Sequence, residues 1–214
     1  MFLRRRFLLA AVAFLAAAAP SAASASGSPR PAATLEDLIE TVLETPVAEN
    51  PLAGGDPCVD LGRIVAPLRQ PSIPSITCTV KPGTSVFVTA WASECSNVEA
   101  PPFFGRDERE LLECARAVDS GITKAEITLD GRPVRVREVE TDAFNADLPV
   151  DNILGVPAQR ALAAAHGWVA QLHPLRPGAH LIAIDVEGTY LGAPLEFEIT
   201  TTILVERHEP PARA

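Results

Sequence analysis

Four cysteines, Cys58, Cys78, Cys95 and Cys114, follow an export-type N terminus, and this combination limits the fold more than any other feature of the chain. An even cysteine count in an exported protein reads as two disulfides. The sequence-local pairing, Cys58–Cys78 with Cys95–Cys114, is favoured. It closes two loops of roughly 20 residues, each worth ~3 kcal/mol if unstrained. The nested pairing, Cys58–Cys114 with Cys78–Cys95, stays open as the alternative. The spacing contains no C-x2-C knuckle for a four-thiolate metal centre. Pairing all four also leaves no catalytic thiol.

The export reading rests on three consecutive features. Arg4, Arg5 and Arg6 form a positive head, residues 7–19 an apolar run, and Ala23-Ser24-Ala25 a small-residue cleavage site. The apolar run is shorter than the ~20 residues that span a bilayer. The expected organisation is a signal peptide over 1–25, a flexible Ser/Pro/Ala linker over 26–33, a single domain over 34–208 and a disordered tail over 209–214. No transmembrane segment is expected after cleavage, and the expected location is secreted or cell-envelope. The net charge is −9. That balance argues against nucleic acid, which calls for a basic face.

Periodicity then predicts the elements. Thr34 is the expected N-cap of a first helix, with Asp37 in capping-box position; Leu35, Leu38, Ile39, Val42 and Leu43 form its apolar stripe and Pro46 ends it. Residues 76–80 and 85–91 read as strands around the turn Lys81-Pro82-Gly83-Thr84. Asp107 caps a second helix carrying Leu111, Leu112, Ala115 and Val118, and Gly121 stops it. Asp130-Gly131 marks a hairpin between 122–129 and 133–139. Residues 157–166 (PAQRALAAAH) have helical composition. Residues 168–175 and 180–186 read as a hairpin about Pro177-Gly178, and 195–206 as a long last strand. Seven to nine strands with hairpin connections point to a sandwich.

The stretches TLDGRPV (128–134), FNADLP (144–149) and LHPLRPGAHLIAIDVEG (172–188) resemble strand pairs of bacterial immunoglobulin-like β-sandwich domains. Together with DPC (56–58) and SITCTVKPGT (75–84), the arrangement is similar to a group of secreted bacterial proteins of unknown function. The resemblance implies a mainly β fold, an antiparallel immunoglobulin-like sandwich with two or three short helices. It implies no catalytic residue. All four cysteines lie in the N-terminal part, so the antibody-type bridge from early to late strands is absent.

Chemistry has few places to sit. In the expected hairpin, His173 and His180 lie diagonally on one face, about 7–8 Å apart, which with a carboxylate could hold a transition metal. Asp142, Asp147 and Asp151 with Glu138 and Glu140 are oxygen ligands of the kind calcium takes, but without EF-hand spacing. Trp91, Trp168, Tyr190, Phe103 and Phe104 could make a stacking platform for sugar. No G-x-S-x-G motif occurs, and no serine lies beyond Ser120. The expectation is a secreted, disulfide-bonded binding or scaffold protein without catalytic residues or cofactor, whose partner is an extracellular protein or glycan. The alternatives are an extracytoplasmic hydrolase with residues gathered from distant loops, and a metal-binding protein using His173 and His180.

Overall fold

The computed structural model describes residues 30–68, 72–73 and 75–207. The signal segment 1–25, the first part of the linker and the tail 209–214 lie outside them. In chain order the elements are α1 (Pro31–Glu44), β1 (Cys58–Asp60), β2 (Ile64–Pro67), β3 (Ser75–Val80), β4 (Ser85–Ser96), α2 (Glu108–Asp119), β5 (Ile122–Leu129), β6 (Arg132–Pro133), β7 (Arg137–Glu140), β8 (Phe144–Leu148), β9 (Gln159–Leu172), β10 (Gly178–Tyr190) and β11 (Ala193–Val205). One sheet runs β1-β2-β4-β9-β7, with β8 continuing the β7 edge of β9; the other runs β3-β11-β10-β5-β6. Among the described residues the fold is mainly β with two α-helices. Two pairs, β2 with β4 and β3 with β11, are parallel. The sheets are therefore mixed where an antiparallel sandwich was expected.

The first helix starts at Pro31, inside the expected linker. Arg30 takes the N-cap and Pro31 the first turn, where a missing N–H costs nothing. Thr34 lies within that turn, its hydroxyl donating to the Arg30 carbonyl at 3.4 Å. The stripe Leu35, Leu38, Val42 and Leu43 is buried as expected. Buried Asn50 closes the other end, donating through Nδ2 to the carbonyls of Val42 at 2.7 Å and Thr45 at 3.2 Å. The second helix keeps its expected cap: the Asp107 carboxylate accepts the Glu110 amide at 3.0 Å.

The largest departure is β9. Residues 159–172 form a strand where helical composition was expected over 157–166. Alanine is a good helix former, but burial on both faces overrides that weak preference. Ala161, Ala163, Ala165 and Val169 pack in the clusters that hold α1, and Ala164 packs with Leu111 and Ala115 of α2. The small side chains let a helix lie close on each face. Gly167 continues this crowding: an added Cβ would stand 2.6 Å from the Trp91 carbonyl oxygen.

Two expected hairpins are instead crossings between sheets. The turn at Lys81-Pro82-Gly83-Thr84 joins β3 in one sheet to β4 in the other. The segment after Leu172 likewise leaves β9 for β10, so His173 and His180 do not share a hairpin face. Both crossings place sequence-adjacent strands on opposite sides of the core, a choice that local turn signals do not encode. By contrast, Asp130-Gly131 makes the tight turn predicted, with φ of 50° and 73° and Leu129 facing Arg132. Its return strand is only β6, after which the chain leaves for the other sheet.

Both disulfides have the sequence-local pairing. Cys58–Cys78 joins β1 to β3 across the two sheets, with Cα atoms 5.6 Å apart. Cys95–Cys114 fixes α2 to β4, with Cα atoms 6.1 Å apart.

Gly178 has φ of 134°, a region L side chains rarely occupy, although it opens β10 rather than turning a hairpin. Nothing lies within 4 Å of its missing Cβ, so strain alone acts there. Gly178→Val should therefore cost about 1–3 kcal/mol in chemical denaturation. An unchanged midpoint and slope would show that this backbone carries no strain.

Candidate functional site

A bulge in β4 organises the polar interior. Pairing with β9 shifts between Thr89 and Trp91, leaving Ala90 as the extra residue. Before the bulge, Val86 and Val88 face the core between the sheets; after it, Trp91, Ser93 and Cys95 do so. Trp91 then stands opposite Trp168, Ser93 opposite His166 and Cys95 opposite Ala164. The last residue of α2, Asp119, enters this row fully buried. Its Oδ1 accepts from Trp91 Nε1 at 2.7 Å and from the Ser93 hydroxyl at 2.6 Å, and its Oδ2 from His166 Nδ1 at 2.9 Å. His166 Nε2 donates to Glu138 at 3.1 Å.

With a carboxylate on each ring nitrogen, His166 is favoured as the imidazolium. Burial opposes the charge, but the hydrogen bonds and charges of Asp119 and Glu138 outweigh it and raise its pKa above the ordinary value. Ser93 donates to the carboxylate and not to the imidazole, so the order of a Ser-His-Asp nucleophile relay is absent. The arrangement is a buried polar tie between α2, β4, β9 and β7. Asp119→Ala would leave the imidazolium buried beside one exposed partner. It should cost about 3–5 kcal/mol in urea or guanidinium unfolding, with Asp119→Asn losing less.

A cavity lies on the other side of β4. After Val86, β2 no longer pairs, so from Phe87 to Cys95 this strand has a described strand neighbour on one side only. A cavity of about 480 Å³ wraps that open edge, reaching under α1 and between the sheets. Leu38, Val42, Ala92, Ile184 and Phe197 give it an aliphatic and aromatic wall. Thr89 and Glu94 supply polar atoms. The Thr89 hydroxyl is buried without a hydrogen-bond partner. Burial raises the Glu94 pKa. Glu99, bonded to Ser96, is pushed up to about 7 by burial and then by the charge of Glu94.

Several expected site residues are dispersed. His180 is occupied by Asp130 at 2.8 Å and by the Arg176 carbonyl at 2.9 Å, while His173 borders a different cavity. The geometry that brought these histidines together is thus gone. Of the proposed calcium ligands, Glu138 meets His166, Glu140 pairs with Arg116, and Asp147 stands 3.9 Å from Arg160. No group of three or more His, Cys, Asp or Glu among the described residues could hold a metal ion. Of the aromatic set, Trp91 and Tyr190 meet edge-on at 5.0 Å and Trp168 abuts His166 at 4.9 Å, whereas Phe103 packs near α2. Asp119, Ser93, His166 and Glu94 were missed as a group. Their signal was a polar residue on an apolar pattern: Asp119 sits eight residues after Leu111 on the buried stripe, and Glu94 interrupts a strand.

No protein-family model matches the chain, and no curated protein matches it. The solution structure of Amebosin is similar over 62% of this chain and 97% of that one, at 9% identity and a TM-score of 0.21. A likeness that low carries no inference.

His166 and Glu99 both hold protons more tightly in the folded chain than their ordinary values of 6.5 and 4.5 allow. Their contribution is complete below those values and is lost as pH rises through the raised ones. Melting temperature should therefore decline as pH rises from about 5 through neutrality. Glu99→Gln should flatten the part of the decline that ends near 7, by roughly 1–2 kcal/mol after solvent screening. A melting profile that rises over this range would contradict both assignments.

Proposed function

We propose that the chain is an exported, disulfide-bonded binding module that takes a compact apolar ligand with one hydrogen-bonding end group into the cavity beside β4. The carrying observation is the volume and largely apolar wall of this cavity, with the buried, unpartnered Thr89 hydroxyl among its lining residues. An orphaned buried hydroxyl destabilises a fold, and a ligand polar group offsets that loss. The volume lies within the usual range of small-molecule pockets. Glu94, whose pKa burial raises, supplies a second polar group to the same cavity.

Two disulfides fit an oxidising compartment. No helix among the described residues is long and apolar enough to cross a membrane. The proposed location is accordingly secreted or cell-envelope, with the mature chain starting at Ser26. Two facing sheets with hairpins support an immunoglobulin-like ancestry, from which the parallel pairs depart. A ligand carried by a glycan or another extracellular protein fits the same export setting. The non-catalytic reading is supported by the serine–carboxylate order at Asp119, and by the fact that the cavity takes no lining from Ser93, Asp119 or His166.

Decanoic acid is a suitable probe, followed by fluorescence because Trp91 lines the cavity. Saturable quenching is expected. Ala92→Leu, which narrows the cavity, should weaken binding about tenfold or more while keeping the fold. Thr89→Val should raise ligand-free stability by about 1 kcal/mol and weaken binding. Absence of saturable binding, or binding indifferent to both Ala92→Leu and Thr89→Val, would overturn the proposal.

A further inference from the structure

A second cavity, of about 380 Å³, gathers basic side chains over an apolar floor that includes Val134 and Leu172. It lies past the N-terminal end of α1, on the face of the β9 sheet that α1 covers. Arg30, Arg135, Arg137, Gln171 and His173 line it together with Pro31. Register explains the convergence. Arg137 stands opposite Val169, which packs beneath α1; Arg135 precedes it by two residues, and Gln171 and His173 follow Val169 by two and four. Alternation puts Arg137 and Gln171 on the α1 side; Arg135 and His173 lie just beyond the ends of their strands, and Arg30 joins them from the start of the helix.

No aspartate or glutamate lines this cavity. Among the described residues, none of the three arginines forms an ion pair, whereas Arg106, Arg109, Arg116 and Arg160 each meet a carboxylate. Charge elsewhere is strongly negative. On the outer face of the other sheet, Asp185 stands opposite both Glu126 and Glu198, and Glu187 opposite Glu196. In a chain of net charge −9, three unpaired guanidinium groups around one concavity are a concentration of charge that the protein does not neutralise itself. The α1 terminus adds to it: its first turn holds no acidic residue and its N-cap makes no side-chain hydrogen bond.

We infer that this basic cavity binds a phosphomonoester group carried on a larger body. Guanidinium forks meet phosphate oxygens in pairs, and a phosphomonoester brings close to two negative charges against the three arginines. The cavity exceeds what a lone phosphate fills, leaving room for the alcohol that carries it. That alcohol belongs either to a soluble phosphate ester or to a lipid headgroup. The site is separate from the apolar cavity and does not depend on it.

Calorimetry with inorganic phosphate, and co-sedimentation with phosphatidylcholine–phosphatidic acid vesicles against phosphatidylcholine alone, test the inference on the full folded chain. Saturable phosphate binding that weakens with added salt is expected. Arg135→Gln/Arg137→Gln should reduce it at least tenfold, with an unchanged melting temperature because both side chains are exposed. Arg109→Gln, distant and paired with Glu113, should bind as the parent chain does. Vesicle binding competed by phosphate assigns the lipid source, and phosphate binding without vesicle binding assigns the soluble one. No binding of either probe overturns the inference. So does binding that the double substitution leaves intact.

Discussion

The buried carboxylate of Asp119 is the interaction on which the arrangement of layers depends. Placed at the C-terminal end of α2, it sits where the helix dipole disfavours negative charge. Three donors compensate: the Trp91 indole, the Ser93 hydroxyl and the His166 imidazolium. Those donors come from β4 and β9, so satisfying one charge fixes the helix against two strands. The bulge at Ala90 makes it possible, since without it Trp91 and Ser93 would face α1. Cys95–Cys114 holds the same helix to the same strand covalently. The bridge limits how far α2 can depart, while the carboxylate sets its rotation.

Small side chains make the complementary contribution. β9 is covered by α1 on one face and by α2 and the second sheet on the other, an arrangement with little room for branched residues. Its alanines and Gly167 are the answer to that crowding. They are also why the strand looked helical, because composition reports propensity and is silent about what lies on each face. The elements legible in advance were those whose cause is local: the Asp107 cap, the Asp130-Gly131 turn, the stripe of α1, and the long last strand, now β11. The disulfides were legible because neighbouring cysteines closed short loops.

What stayed hidden is nonlocal. A Pro-Gly pair marks a change of direction, but not whether the next strand joins the same sheet. Both Lys81–Thr84 and the segment before Gly178 lead to the opposite sheet, and the proposed His173–His180 pair dissolved with the second of these. The glycine itself was correctly singled out, for its positive φ and not for the hairpin. The cavity beside β4 has a similar origin. It exists because β2 stops pairing after Val86, and strand length in a parallel pair leaves little trace in sequence.

The second sheet has an edge of its own, and Cys58–Cys78 bears on it. β11 is long and rich in Thr and Ile, and among the described residues it is flanked on its outer side only by β3, over Thr200–Val205. β3 in turn is tied by its cysteine to the opposite sheet. Breaking that bridge loosens the strand that shields the β11 edge, uncovering backbone donors and acceptors on a β-prone sequence. Such an edge templates pairing between chains. The bridge therefore bears on how well that edge stays covered as well as on folding free energy.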